Sequence, residues 1–487
     1  MIPRNQPYTS YVDGRWLPAS SRVIVRENPG YSGNEAARWC PVTIPVAVGA
    51  MDAAARAFGP WSMTPVEVRL ELLDRLTGMV EADADGFAAD ITRENGKTLA
   101  EAHAEIRAGL ADAHHLLRQA RRDAQPETVS PPGAPIRSLV VSEPVGVYVL
   151  IAPWNFPLAI ILRKLIPALA YGNTVVVKPS ELTPGPAHRL FKLLAWLDFP
   201  PGTASLVLGQ GAKIGSSLIG HAALRGVSFT GSTATGLGIA RRTAARDVRI
   251  QLEMGGKNSV VVLEDADLDA AVAATITGGF SCAGQWCTGT GRVIVASGVY
   301  DDFCGRLAER AKALRVGPGD AEAVDIGPMI TAGRVQATIA AIDQAVAAGA
   351  RLRCGGPALL NSAGVLGHYL SPTVLDRVTE AMPIFTDELF APVIPVVEAR
   401  DSAHALNLVN AGRYGLSASV FSADLERAES FARRIEAGLV HVNLHTAYRE
   451  PALPITAWRD SGRGLPEGGT LARSFFTRPR SLYLRQP

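Results

Sequence analysis

The sequence predicts an α/β fold in which parallel strands alternate with helices. Three observations carry that expectation. From residue 145 onward, short β-branched runs alternate with stretches long enough for amphipathic helices, the pattern of βαβ units around a parallel sheet. The chain has 487 residues, more than a single domain of about 100–200 residues holds. Its 47 Gly and 33 Pro are scattered without a period, which supplies many turns and argues against a fibre.

Residues 1–130 read as mostly helical, because 66–82 and 85–122 carry apolar residues at helical spacing with charges between them. The stretch QPETVSPPG at 125–133 breaks that pattern. Alternation starts after it. Strand 145–151 leads through a Pro-rich turn into helix 159–171. Strands 174–177, 205–208 and 227–230 lead into helices 184–196, 212–220 and 233–245, and strand 248–252 closes the set. Such a doubly wound unit binds ligands beyond the carboxyl ends of its strands. A second alternation follows, with strands 259–263, 292–296, 393–397 and 419–421 and helices 267–278, 301–314, 334–348 and 403–410. The tail 473–485, with Phe, Leu, Tyr and Arg interspersed, reads as an extended segment of the kind that pairs with another sheet or subunit.

Composition excludes several classes. Lys plus Arg is 48 and Asp plus Glu is 46, a net charge of +2, so neither a broadly basic nucleic-acid binder nor an acidic disordered chain is expected. The cysteines Cys40, Cys282, Cys287, Cys304 and Cys354 are odd in number and form no CxxC pair. That argues against a disulfide framework and a zinc site, and a reducing, cytoplasmic setting without a metal is expected. The first residues show no apolar core of a signal peptide. Residues 144–162 carry no charge and could by length span a membrane. Pro144, Pro153, Pro157 and Asn155 interrupt them, so a buried strand, a polar turn and a helix start are the better reading, and no membrane partner is expected.

Candidate chemistry lies at the ends of these elements. Cys287, in AGQWCTG, is a soft nucleophile among small residues, although an isolated Cys is more often a buried small hydrophobe. That reading suits Cys40, Cys282, Cys304 and Cys354, with Cys282 inside a helix end. Glu253, in LEMGGKN, follows an apolar strand, where a raised pKa would make it a base and an ion pair or cap would make it structural. Asn155, in PWNFP, is an amide fixed by two prolines and two aromatics, suited to an oxyanion or to a turn. Lys178 and Glu181, in VKPSE, suit a ribose or phosphate contact. The turns Gly209-Gln210-Gly211 and 231–236 offer backbone N–H groups to a phosphate without completing a GxGxxG.

Taken in order, these motifs resemble the aldehyde dehydrogenase superfamily over roughly residues 11–484. The matching stretches are PWNFP at 153–157, KPSE at 178–181, FTGSTATG at 229–236, LEMGGKN at 252–258, GQWCT at 284–288, DELFAPV at 387–393, NAGRYGLSASVF at 410–421 and GLVHVN at 438–443. The resemblance implies an aldehyde-dehydrogenase-like α/β fold. A Rossmann-type cofactor domain would comprise 1–122 and 144–255, a catalytic domain 256–455, and a β-rich oligomerisation arm 123–143 and 473–487. It implies oxidation of an aldehyde to an acid with NAD(P)+. Cys287 would be the nucleophile, forming a thiohemiacetal and then a thioester. The Asn155 side chain and the Cys287 N–H would hold the oxyanion, and Glu253 would activate the hydrolytic water. Lys178 and Glu181 would contact the adenine ribose, Ser232 and the Gly231 turn the pyrophosphate, and Glu388 and Phe390 the nicotinamide ribose and ring. Ile151, Trp154, Ser180, Gly211, Phe229 and Gly255 complete the implied cofactor set. Glu181 can accept from both ribose hydroxyls but repels a 2′-phosphate, so NAD+ is preferred, with NADP+ the alternative. A homodimer or homotetramer is implied, and the only other partner is a small aldehyde.

Arg163, in LAIILRK, resembles the succinate-semialdehyde and α-ketoglutarate-semialdehyde branches, where it meets the substrate's distal carboxylate; an Arg paired with a structural acid is the competing reading. VNLHTA at 442–447 also resembles the second branch, and Trp286 would narrow the pocket. A short ω-oxo acid is therefore the expected substrate, with other small or hydroxylated aldehydes as the alternative. Two departures stand out. The usual PFGGxKxSGxGRE is replaced by PITAWRDSGRG at 454–464, and Ala391 replaces the usual Gly of ExFGP. A thiol-dependent esterase, a non-catalytic relative and a coenzyme-A-acylating enzyme are the remaining alternatives. Intact Lys178, Glu181 and Glu388 oppose the first, retention of Cys287, Glu253 and Asn155 the second, and Glu253 the third.

Overall fold

The computed structural model describes residues 6–131, 135–356, 364 and 366–485. Residues 1–5, Pro132 and Gly133 of the breaker stretch, and the last two residues of the tail lie outside the described residues. Two large sheets organise the chain. In the first, strands run in the order Arg15–Trp16, Tyr11–Val12, Ala204–Leu206, Thr174–Lys178, Val147–Ile151, Leu224–Thr230, Arg249–Glu253 and Gly462–Gly464. The five inner strands are parallel. Val147–Ile151 comes first among them in sequence yet lies in the middle, so the winding reverses between it and Leu224–Thr230. A doubly wound sheet opens its ligand crevice at such a reversal.

The registers line up the carboxyl ends. Ile151 is opposite both Lys178 and Phe229, and Thr230 is opposite Glu253. These strands read as continuous Val and Leu runs because helices cover both faces. Val149, Val176 and Val227 are fully buried, each contributing about 1.5–3 kcal/mol of apolar transfer. The second sheet runs Arg351–Gly356, Ser371–Asp376, Val393–Ala399, Thr290–Ala296, Asn258–Val262, Ser417–Phe421 and Leu439–Val442, parallel except for its first pair. Strand Thr477–Arg485 pairs along its length with Ile136–Pro144, joining the tail to the segment that follows the breaker.

From Ile44 to Asp123 the N-terminal region is mostly helical, and the described residues before Ile44 include the short strands Tyr11–Val12, Arg15–Trp16, Ile24–Asn28 and Tyr31–Trp39. Tyr11–Val12 and Arg15–Trp16 close on a two-residue turn, Asp13-Gly14, with φ of 52° and 77°, and Asp-Gly is the side-chain pair that tolerates that left-handed hairpin turn. The helix expected over 85–122 is two helices, Ala84–Asn95 and Leu99–Asp123. Gly96 ends the first at φ 93°, and Thr98 with Glu101 starts the second with a reciprocal capping box. The uncharged stretch 144–162 does contain strand Val147–Ile151 and the start of helix Ala159–Ala170. No helix among the described residues is long and apolar enough to cross a membrane.

The divergent 454–464 segment ties the first sheet to the stretch that leads into strand Ser417–Phe421. Trp458–Arg459 pairs with Tyr414–Gly415, while Gly462–Gly464 edges the first sheet against Arg249–Glu253. Asn173, fully buried, performs a similar task at the other end. Its Oδ1 accepts from the Val145 and Gly146 N–H groups at 2.7 and 3.0 Å, and its Nδ2 donates to the Ala168 and Phe476 carbonyls at 3.2 and 2.8 Å. Replacing Asn173 with Ala strands several buried backbone groups and is expected to cost roughly 2–4 kcal/mol, read as a lower urea midpoint at unchanged slope.

Candidate active site

The nucleophile candidate sits in a turn that only small residues permit. Helix Leu268–Phe280 stops at Phe280, and the chain turns through Cys282, Ala283 and Gly284 with φ of 54°, 54° and 65°. Cys282 therefore belongs to this left-handed turn and not to the helix end. Its N–H donates to Glu101 Oε1 at 2.6 Å. A Cβ at Gly284 would collide with the Ala391 carbonyl. Beyond the turn, Asn258 clamps the loop: its Nδ2 donates to the carbonyls of Cys287 and Gly289, each at 2.7 Å, and its Oδ1 accepts from Ser417 N–H at 3.0 Å. Gln285 ties the same loop to Ile330 through its Oε1 at 2.9 Å.

Cys287 is half-buried. Burial pushes its thiol up to about 11; Arg163 works in the opposite direction, while Glu253 and Glu388 add to the rise. Buried Asn155 donates from Nδ2 to the Gln285 carbonyl at 3.1 Å, two residues before the thiol. An amide nitrogen carries two hydrogens, so that bond orients the amide and leaves one donor over. Buried Glu253 ends its strand opposite Thr230. Its carboxyl is held well above the ordinary range by burial first and by Glu467 next, against the pull of Lys164, Arg163 and Arg449. A carboxyl raised in this way binds a proton more tightly than an ordinary carboxylate and is a stronger base once ionised.

Several of the cofactor candidates lie at or just beyond the carboxyl ends of the first sheet's strands. Lys178 Nζ donates to Pro179 O at 3.0 Å and to Glu181 Oε2 at 3.3 Å, and Gly211 stands against the Lys178 side chain, where a Cβ would be 3.6 Å from Cε. Ser180 Oγ accepts from Leu182 N–H at 3.1 Å. Ser232 caps helix Thr233–Thr243 from an exposed position. Gly231 lies on the Phe229 ring, where a Cβ would be 2.6 Å from Cζ. Further along, Glu388 Oε1 accepts from Gly256 N–H at 2.9 Å, and its carboxylate leaves no room for a Cβ at Gly255. Phe390, at φ 54°, meets Trp154 edge-on at 5.6 Å. A cleft between these residues is lined by Lys257, Trp286, Glu388 and Phe390. Burial, with Arg292 adding, pulls Lys257 down to about 7.

On the opposite side, Trp286 packs 5.3 Å from Phe156, whose ring lies 3.5 Å beneath Lys97 Nζ. Arg163 is paired: its guanidinium donates to Asp112 Oδ2 at 2.8 Å, and Glu467 lies 3.9 Å away. Lys164 is met by Glu467 at 3.1 Å and by Ser228 at 2.8 Å. Asn258, Asp112, Glu467 and Arg449 were not expected as site residues. Asn258 lay inside a quoted motif, and its polar side chain at the start of an apolar strand was the available signal; the other three carry no local pattern.

A model described as the aldehyde dehydrogenase family matches residues 16–482. The chain belongs to that family. This aldehyde dehydrogenase is 35% identical over 496 residues to the α-ketoglutaric semialdehyde dehydrogenase of Bacillus subtilis, covering 100% of this chain and 99% of the relative. It is 36% identical over 456 residues to the 3-sulfolactaldehyde dehydrogenase of Pseudomonas putida, covering 93% and 92%. The crystal structure of betaine aldehyde dehydrogenase from Staphylococcus aureus in complex with NAD+ superposes with a TM-score of 0.93 at 30% identity, covering 99% of this chain and 95% of that one.

Two outcomes follow for this aldehyde dehydrogenase. Because the folded protein binds a proton at Glu253 more tightly than the unfolded chain does, ionisation of Glu253 opposes folding. The cost is absent below the unfolded carboxylate range and grows as pH rises above it. Glu253→Gln should therefore raise the urea midpoint at pH 8, with the difference vanishing near pH 4. With the Cys287 thiol near 11, the rate of its alkylation by iodoacetamide in the ligand-free enzyme should climb about tenfold per pH unit between 7 and 10; a plateau below pH 9 would show a lower thiol pKa.

Proposed function

We propose that this aldehyde dehydrogenase oxidises a short ω-oxo acid to the dicarboxylic acid, with Cys287 as nucleophile. The observation that carries the reading is the convergence of three groups from three separate elements: the Cys287 thiol, the spare N–H of Asn155, and Glu253 close enough to act on the thiol's charge. The thiolate adds to the carbonyl carbon, and the oxygen gains a negative charge that Asn155 and the Cys287 N–H stabilise. When the carbonyl re-forms, the aldehyde hydrogen leaves as hydride and a thioester remains on Cys287. Glu253 takes a proton from water as that water attacks the thioester, and the acid departs with the thiolate restored.

The cofactor reading rests on the row Ile151, Lys178 and Phe229, on the Glu388 carboxylate against Gly255, and on the Trp154–Phe390 pair. NAD+ held by these residues would supply the hydride acceptor. Glu181, held by Lys178, favours NAD+ over NADP+ through its charge. The cofactor domain is formed by 1–122 and 144–255, the catalytic domain by 256–455, and the arm by 123–143 and 473–487. The exposed Tyr483 and Leu484 on the tail strand suit pairing with a second copy in a homodimer or homotetramer. Five free thiols suit a reducing, cytoplasmic setting. The ω-oxo acid rests on the cations gathered beside Cys287 and on the likeness to the Bacillus subtilis enzyme.

NADH formation with succinate semialdehyde tests the mechanism. Cys287→Ala is expected to abolish it. Glu253→Gln is expected to keep a single-turnover burst while losing steady-state turnover at least a hundredfold. Unchanged turnover in Cys287→Ala would remove the nucleophile from the scheme.

A further inference from the structure

The loops that carry Cys287 and Asn155 are both tied to one short stretch, residues 95–105. Glu101 Oε2 accepts from the Thr98 N–H at 3.0 Å within the capping box, and its other oxygen accepts from the Cys282 N–H at 2.6 Å. The carboxylate that starts helix Leu99–Asp123 therefore also holds the left-handed turn that leads to Cys287. Four residues on, Glu105 Oε1 accepts from the Leu158 and Ala159 N–H groups at 2.9 and 3.2 Å, where helix Ala159–Ala170 begins without a cap of its own. Asn95 Nδ2 donates to the Trp154 carbonyl at 3.0 Å, and Lys97 Nζ lies 3.5 Å over the Phe156 ring. Asn155 is thereby held from both sides. Its own amide reaches the Gln285 carbonyl, and Gln285 Nε2 returns to the Cys282 carbonyl at 3.3 Å. The contacts close a ring that runs from the helix start through the Cys282 turn, Gln285 and the Asn155 loop back to the helix.

Carboxylates four residues apart share one helix face and repel each other. Here Lys97, buried and 2.6 Å from Glu105 Oε2, is the cation beside them. Each carboxylate directs an oxygen at the backbone of a different loop. We propose that Glu101 and Glu105 are positioning residues that set the spacing between the Cys287 thiol and the Asn155 amide, with a little over one helical turn between them as the spacer. This rests on the reaction assigned above and adds the groups that keep its nucleophile and its oxyanion donor in register. A misplacement of about 1 Å at such a site can cost roughly a hundredfold in rate.

The test uses 4-nitrophenyl acetate and needs no cofactor. The Cys287 thiolate adds to the ester carbonyl, 4-nitrophenolate leaves, and an acetyl thioester remains. Asn155→Ala, Glu101→Ala and Glu105→Ala should each slow this acylation at least tenfold. In Glu101→Ala/Asn155→Ala and Glu105→Ala/Asn155→Ala the further loss due to Asn155→Ala should shrink below threefold, because the amide is already out of place. Alkylation of Cys287 by iodoacetamide forms no oxyanion and should stay within threefold of wild type in both glutamate variants. If an alanine variant does not fold, the same cycle is read in Glu101→Gln or Glu105→Gln, which keep one acceptor oxygen and should show a smaller loss with the same coupling. Losses that simply multiply overturn the proposal. So does alkylation that falls as far as acylation, and so does acylation that Asn155→Ala leaves unslowed in the wild-type background. If the coupling appears while wild type forms no NADH from succinate semialdehyde, the reaction assigned above fails and the positioning role stands.

Discussion

Removing a charge from water must be compensated locally, and the surroundings of Cys287 are built around that requirement. Helices Leu99–Asp123 and Ala159–Ala170 lie side by side, bringing Asp112 to Arg163 and Glu105 to the first amides of the second helix at 2.9 and 3.2 Å. Lys97 then closes on Glu105 at 2.6 Å and covers the Phe156 ring. Glu467 arrives from the far end of the sequence to meet Lys164. Each buried ion is thereby placed by a partner on another element. Breaking one partner away leaves an uncompensated charge, which costs more than the pair contributes. The helix packing, the C-terminal clasp and the pocket chemistry are consequences of one electrostatic arrangement.

The candidate reactive groups lie beside this arrangement. Cys287 and Glu253 are both held toward their protonated forms by burial. In both, the surroundings favour the neutral form, and Asn155 bonds to the Gln285 carbonyl two residues before the thiol. Groups whose environments move their proton affinities away from ordinary values are a frequent mark of chemistry. Here the mark coincides with loop geometry that nothing structural requires: three consecutive left-handed residues before the thiol, and an asparagine clamp after it.

Much of the fold was legible because its signals are local. The Val and Leu runs of the inner strands, the Pro-rich turn after Ile151 and the glycines after Phe229 each report their own surroundings. The Gly96 break was equally local, but helical periodicity on either side masked it. Cys287, Glu253 and Asn155 stood out because each closes a strand or a turn within a dense motif. Asp112 and Arg449 could not be singled out in that way. A carboxylate in the middle of a charged amphipathic helix looks like any solvent-facing residue, and Arg449 stands just beyond VNLHTA with no local pattern of its own. Their pairing at 3.4 Å depends on two helices and a loop meeting, and sequence separation hides such a meeting.

The short strand Gly462–Gly464 has a consequence for how the protein is made. It covers the outer edge of Arg249–Glu253, yet it is made long after that strand. Until then the first sheet presents an unpaired edge, a template for joining another nascent chain. Glu253 also lacks its neighbour Glu467 until the same late moment. Synthesis order therefore delays completion of the surroundings of Glu253 until Glu467 has been made, and a product truncated before Gly462 would carry an exposed edge.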